Sequence, residues 1–472
     1  MSQKICVLEV NEVPLRIFRD YAGLLPGSHI SRLLKTSEVM ETLAIDVDPS
    51  FLYPSQTWAS LNTGAPYREH QIHWYNDPKP AEYPLYWKLL ANHGLSVGVV
   101  GTLHSSPAAA FAEKNDHYKF VIPDCFASDS YTKPGFLQPF QFLNLQAVSA
   151  SGRATSVKAP LRHAALTALN FRRYGIRLGS MTEGAALVMK ILRKKVNRER
   201  LRNLQFPLVA DIFLSQYARN QPDLAILFTN HVAANMHRYW YALHPEDYRE
   251  EIYGGAWRAK YEGEIIAAME LLDRYVGRLM RLTQRMNAIL VVVSSMGQEA
   301  NKKLTPDIPQ QRSVDYRLED VKKFVSRVSS QTTSFQVRSA MVPQYTLAFD
   351  GAEKASAAVA DMRQAESTMK GIGICLDQNK EALTISAWLD STVDEFRIGD
   401  KSYTHKDLGF VRLEIDDHHS GCHCPEGTLI IHNSKTARVG KPSVDYLEYA
   451  PALLRHFGIP PRSYMRASTF SF

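Results

Sequence analysis

The sequence predicts an α/β fold: a mostly parallel central sheet flanked by helices, with a helical insertion and a small second subdomain. Three observations carry this. Short β-rich apolar runs recur at 4–10 (KICVLEV), 222–230 (PDLAILFTN) and 287–295 (NAILVVVSS), as suits strands buried on both faces. Helical segments ending in Gly precede strands, as in YPLYWKLLANHG before LSVGVVGT, the rhythm of alternating helices and strands. The 472 residues are enough for such a core and further domains.

Taken in order, KICVLEV is a central strand with Glu9 and Asn11 at its carboxyl end, where open α/β sheets build their sites. LPGSHISRLLKTSEV (25–39) reads as a helix capped near Ser28, and TLAIDVD (42–48) as the next strand. TWASLNTG (57–64) reads as a short helix with Thr57 at its start and Gly64 at its stop. KFVIPDCF (119–126) is a strand or its exit. These elements make residues 1–150 the first part of the core. Residues 151–220 are helical in pattern and read as an insertion covering one side of the sheet. The core returns over 221–300. Residues 301–404 are more polar and hold a small sheet around YTLAFD, GICLD and LTISAWL. The core closes over 405–472, with a last helix stopped by Gly458 and Pro460.

Composition narrows the function. Hydrophobic residues are 45% and charged residues 22%, ordinary for a folded protein. The balance of 55 basic against 48 acidic residues is mild. The densest basic stretch, KKVNRERLR at 195–203, reads as a solvated helix face, so nucleic acid is not an expected partner. Five cysteines do not suggest a disulfide scaffold. No uncharged apolar run reaches ~18 residues, so no transmembrane segment is expected. The expected address is the cytoplasm. Attachment to a membrane surface and homo-oligomerisation are left open.

Several polar groups fall at ends of expected core strands. Glu9 and Asn11 are two apart on one strand and face the same side. Glu9, buried or in the cleft, would have a raised pKa and suit a general base. His231 and His237 follow the strand at 222–230, and His423 sits in a Gly-flanked loop. Imidazoles exchange protons near neutrality. The run EIDDHHSGCHCPEG (414–427) is dense in metal-ligand types, yet its Cys-x-Cys is not usual zinc-knuckle spacing. Arg16, Arg68 and Arg238 are candidate phosphate clamps.

The ordered landmarks Thr63-Gly64, Ala65-Pro66, Glu69-His70 and Gly421-Cys422-His423, with the strand TLIIH, resemble the alkaline phosphatase superfamily. That group includes type I phosphodiesterases, nucleotide pyrophosphatases and sulfatases. The resemblance implies a phosphoester or phosphodiester hydrolase or transferase, acting on a phosphorylated glycan or nucleotide-like substrate. It also implies a divergent site. Asn11 stands where the family has a strand-one Asp, and Ser295-Met296 where it has Asp-His. The middle loop N-H-V-A-A-N-M-H lacks a carboxylate. A two-zinc site is therefore not expected. One divalent ion (Zn, Mn or Mg) held by a set drawn from Glu9, His231, His237 and His423 is the remaining expectation. Pro54 occupies the usual nucleophile place, so Thr57, as cap of a helix whose free N–H groups could cradle an anion, or an activated water, is the expected attacker. His237, His423 and Glu9 join Thr57 as candidate catalytic residues. Asn11, Trp58, Arg68, His231 and Gln298 are candidate substrate contacts. A divergent branch reading L-E-x-N-E-V-P, then W-x-x-x-x-T-G, then Ser-x-x-x-Gln is also similar. It implicates Glu12, Thr63, Gly64 and Ser294 as well, and its members resemble accessory proteins of bacterial surface-polysaccharide synthesis. The alternative function is thus a non-catalytic or metal-free protein supporting that pathway.

Overall fold

β1 (Ile5–Val10) is buried along its whole length, because parallel strands flank it on both sides: β5 (Leu224–Thr229) and β6 (Ile289–Val293). It lies inside an eight-stranded sheet of order β19-β2-β18-β6-β1-β5-β3-β4. The others are β2 (Ser37–Leu43), β3 (Val97–Val100), β4 (Tyr118–Ile122), β18 (Leu429–His432) and β19 (Ser443–Asp445). All pairings are parallel except those of β18 with β2 and β6. The computed structural model describes residues 2–75, 77, 79–127, 130–150, 166–308, 314–331, 335–339, 344–414, 418–437 and 441–472. Residues 151–165 of the expected insertion, and Asp416 and Asp417, lie outside the described residues.

Side-chain alternation along β1 divides the core. Cys6, Leu8 and Val10 join the layer that includes the helices Gln205–Asn220 and Glu264–Arg285. Ile5 and Val7 join the opposite layer, with Trp58, Tyr86 and Tyr449. That layer is built on α3 (Pro54–Thr63), α5 (Tyr86–Asn92) and the helix Tyr449–His456. Burying both faces of a parallel sheet is what its apolar runs require.

Two boundaries differ from the sequence expectation. The helix begun after Ser28, whose Oγ accepts from the Ser31 N–H at 3.1 Å, ends at Lys35 rather than 39. β2 then starts at Ser37, because that stretch pairs with β18 and β19, and Met40 and Thr42 turn inward. The helix expected at Thr57 starts at Pro54, with Tyr53 as its cap. Proline is favoured in a first turn because the N–H it lacks would be unpaired there.

A second body carries its own core. β9 (Phe335–Ser339), β10 (Gln344–Phe349), β12 (Ile372–Asn379) and β13 (Ala382–Leu389) form an antiparallel sheet of order β12-β13-β10-β9. The helices Val321–Val328 and Ala352–Glu366 supply Phe324, Val325, Ala355 and Ala358 to that core. Trp74 Nε1 donates to Asp377 Oδ2 on β12 at 2.5 Å, tying this body to the loop after the helix Tyr67–His70.

Candidate functional site

The carboxyl ends of β1, β5 and β6 converge. β1 runs out into Asn11 and Glu12, and Glu12 adopts a left-handed conformation (φ 57°) that breaks the strand. Pro14 then caps α1 (Leu15–Leu24). The Glu12 carboxylate is thereby held at the strand end, almost wholly buried.

Its surroundings form one network. Asn11 Nδ2 donates to Glu12 Oε1 and to Asn230 Oδ1, each at 2.7 Å. Trp58 Nε1 donates to Asn11 Oδ1 at 2.8 Å. Gln298 Nε2 donates to Glu12 Oε2. His237 Nε2 lies 2.8 Å and His423 Nε2 3.3 Å from that same oxygen. The rings of the two histidines are 5.0 Å apart and nearly perpendicular.

The histidines are aimed by backbone. His237 Nδ1 faces the Gly421 carbonyl at 3.3 Å, and His423 Nδ1 faces the Leu52 carbonyl at 2.7 Å. A carbonyl can only accept, so each Nδ1 carries the hydrogen and each Nε2 presents its other side to Glu12. Two imidazole lone pairs directed at a carboxylate repel unless a proton or a cation lies between them. Burial pushes the Glu12 carboxyl up, but the charges and hydrogen bonds of His423 and His237 outweigh it and hold the group well below the usual carboxylate range. Burial pulls the His423 imidazole down, and Glu12 more than reverses that, leaving it above its ordinary value.

The donor set also fits a metal. Glu12, His237 and His423 each offer one ligand atom, and the three lie within 4.8 Å of one another. Two imidazoles and a carboxylate form a set used in catalytic zinc sites. The Nδ1–H to carbonyl bonds are the outer contacts that fix ligating histidines. Gln298 Oε1 is buried nearby with no hydrogen-bond partner. The set fits one ion. At the places expected for further ligands, the Asn11 amide is consumed by Trp58, Asn230 and Glu12, and Ser295 Oγ bonds Thr57 Oγ1 at 2.8 Å.

β17 (Gly421–Cys424) and β7 (Gly297–Ala300) bring His423 beside Gln298 by register. Close backbone packing sets this. A Cβ on Gly421 would stand 2.5 Å from the Met236 carbonyl oxygen, and one on Gly297 2.0 Å from that of Glu426. Gly421→Ala would push β17 off the helix His231–Leu243 and separate the two histidines. We expect it to cost about 1–3 kcal/mol of stability and to weaken divalent-ion binding together, read by thermal melts and metal titration. Parent-like values in both would mean that β17 has slack.

The other expected site residues fall elsewhere. His231 is not with the cluster. Its Nδ1 bonds Thr229 Oγ1 at 2.7 Å, its Nε2 meets the Ala268 carbonyl at 3.1 Å, and its ring stacks on Phe206. Burial lowers its pKa to about 4, and both nitrogens serve the core. Glu9 is fully buried, and burial raises its pKa to about 8. It belongs to the α3 face beside Tyr86 and Tyr449, whose hydroxyls its charge perturbs, and its oxygens have no hydrogen-bond partner. Neither residue is in the ligand set. Trp58 is wholly enclosed against Phe228 and acts through Asn11. Arg68 is exposed on α4 (Tyr67–His70).

Thr57 lies inside α3, not at its cap. Its side chain is completely buried, and its N–H bonds the Tyr53 carbonyl at 3.1 Å, as does that of Gln56 at 3.0 Å. With Pro54 lacking an N–H, this helix start is a poor anion cradle. Cys422 and Cys424 bond carbonyls of Ala300 and Glu426, and all five cysteines are free. Glu12, the centre of the cluster, was the residue that strand patterning passed over. Its sequence signal was the N-E-V-P that follows the first strand.

Beside His423 stands an aromatic group. The Tyr53 ring is 6.4 Å from that of His423, 5.5 Å from that of His73 and 5.4 Å from that of Trp74. Gln56 Nε2 and Tyr67 Oη hold His73 Nδ1 at 2.7 and 2.9 Å. Through Trp74 this group reaches Asp377 of the second body.

The family model described as type I phosphodiesterase / nucleotide pyrophosphatase matches residues 15–362. No curated protein sequence matches the chain. Among solved structures, it is similar to the murine ectonucleotide pyrophosphatase / phosphodiesterase 5, at 11% identity and TM-score 0.39, covering 99% of this chain and 98% of that one. It is similar to the human ectonucleotide pyrophosphatase / phosphodiesterase 5, at 10% identity and TM-score 0.40, covering 99% and 97%. It is also similar to phosphonoacetate hydrolase from Sinorhizobium meliloti 1021 in complex with phosphonoformate, at 14% identity and TM-score 0.40, covering 95% and 94%. With three quarters of its length inside the family match and a three-residue metal-type cluster at the strand ends, the chain belongs to the type I phosphodiesterase / nucleotide pyrophosphatase family, as a distant branch of the alkaline phosphatase superfamily.

Proposed function

We propose that this protein is a phosphoester or phosphodiester hydrolase or transferase that works with one divalent ion held by Glu12, His237 and His423. The observation that carries this is the aim of the two histidines: both Nδ1 atoms are spent on carbonyls, and both Nε2 atoms converge on one buried carboxylate. Such an ion would supply polarisation of the phosphoryl group and acidify a water. Two imidazoles beside one carboxylate favour zinc over magnesium or manganese.

The chain's own residues do the rest. Asn11 and Gln298 fix the Glu12 carboxylate from two sides. Gln298 Oε1 is free to accept from the substrate or from water. Tyr53, His73 and Trp74 offer ring faces beside His423, suited to a sugar or a base on the leaving group. Because Thr57 is enclosed, the attacking group is a water or an acceptor hydroxyl. Its oxygen joins phosphorus, one P–O ester bond breaks, and a proton ends on the leaving oxygen. The substrate class we assign is a phosphorylated glycan or nucleotide-like ester handled in the cytoplasm.

The test is metal analysis of the purified full chain together with hydrolysis of a phosphodiester panel. One divalent ion per chain and ion-dependent turnover are expected. The absence of both bound ion and turnover would sink the proposal. It would leave the non-catalytic role in surface-polysaccharide synthesis, which the lack of carboxylates at Asn11, Ser295 and Met296 favours.

A further inference from the structure

The helix Leu178–Leu192 has no buried residue. Its inner side rests on the body through Ser180, whose Oγ meets Tyr275 Oη at 3.3 Å, and through Gly184, which faces Leu204. Its outer side carries a mainly apolar stripe, with Thr182 the one polar member. Leu178, Thr182, Ala185, Met189 and Leu192 follow one another at spacings of four, three, four and three, so they form one stripe down the helix. All five are exposed, with Leu178 at 59%, Met189 at 46% and Leu192 at 71%. Leu169, just upstream, is 81% exposed. A helix that shows one apolar stripe to solvent marks a surface for something else.

Charge identifies the occupant. Between residues 166 and 204 stand ten basic residues and two acidic ones, Glu183 and Glu199. That net of +8 exceeds the +7 of the entire chain. Arg172, Arg173 and Arg177 precede the stripe, and Arg193, Lys194 and Lys195 follow it, all exposed. One of the two acidic residues is paired with Arg274 and the other with Arg198. An apolar stripe bracketed by exposed cations is the pattern of a helix lying in the headgroup layer of an anionic bilayer. No described helix is long and apolar enough to cross a membrane.

We infer that the helix Leu178–Leu192 docks this protein on an anionic lipid surface, with Leu178, Met189 and Leu192 entering the headgroup layer and the flanking Arg and Lys residues meeting lipid phosphates. This rests on the insertion alone and not on the Glu12 cluster.

The test is cosedimentation of the full-length protein with phosphatidylcholine vesicles and with vesicles carrying about one-third phosphatidylglycerol. Binding to the anionic vesicles only, weakened by salt, is expected. Lys194→Gln with Lys195→Gln should weaken it roughly fivefold per charge removed. Met189→Ser with Leu192→Ser should remove the binding that survives in high salt, with an unchanged circular dichroism spectrum. Three outcomes would overturn the inference: no vesicle binding (with a dimer that Leu192→Ser dissociates assigning the stripe to a second copy instead), equal binding to both vesicles, or parent-like binding by both double variants.

Discussion

Glu12→Gln is expected to abolish tight divalent-ion binding and to cut phosphoester turnover on the order of 10³-fold, while leaving the fold intact. The carboxylate is the acidic member of the cluster, so its charge is what would hold a divalent ion against the two Nε2 atoms. The neutral amide keeps the shape. It can still accept from Asn11 Nδ2, and the Gln298 amide can turn to present its unpartnered Oε1. A melting temperature within a few degrees of the parent is therefore expected. Thr57→Ala is the contrast. It deletes the hydrogen bond to Ser295 in a buried place and should cost about 1–2 kcal/mol of stability, with turnover changed by less than about tenfold. If Thr57→Ala removed turnover at full stability, the attacker would be Thr57 and the enclosed conformation would be one that opens.

Glu9→Gln is expected to stabilise the protein and to flatten its stability between acid and neutral pH. The Glu9 carboxyl titrates near 8, raised from 4.5, because burial disfavours its charge. The Thr102 hydroxyl is the neighbour that pulls the other way, yet neither it nor the carboxylate oxygens reach hydrogen-bond geometry. The remaining neighbours are the Tyr86 and Tyr449 hydroxyls, which are themselves neutral at these pH values. The sign follows from linkage. Below 4.5 the carboxyl is neutral in both states and costs nothing extra. Between 4.5 and 8 the unfolded chain is ionised while the folded one holds its proton, so stability falls as pH rises. Above 8 the loss is complete, at several kcal/mol. Urea melts across this range should show a slope that Glu9→Gln removes. An unchanged slope would mean that Glu9 is solvated or paired in solution.

The fold was legible because burial leaves a local trace. KICVLEV, PDLAILFTN, NAILVVVSS and TLIIH all became sheet strands, since a strand covered on both faces must be apolar at nearly every position. Boundaries set by pairing left a weaker trace. Residues 37–39 continue a helical pattern, yet β18 recruits them into β2. Histidines show the same divide at the site. His231 and His237 share one helix and read alike in sequence. Only the packed structure gives His231 to Thr229, Ala268 and Phe206, and turns His237 toward Glu12.

By itself, then, the sequence determined the sheet strands, the helices that cover them, and the absence of carboxylates at Asn11, Ser295 and Met296. Those follow from residue type and order. Tertiary structure alone set Glu12, and not Glu9, beside His237 and His423. Glu9 lies within a strand, where pleat and burial seal it beneath α3. Glu12 lies three residues on, where a left-handed turn releases the chain and β17, arriving from the far end of the sequence, sets His423 against it. Residues distant in sequence become one site only when the sheet register and the backbone carbonyls that aim them are in place, and no local pattern encodes that convergence.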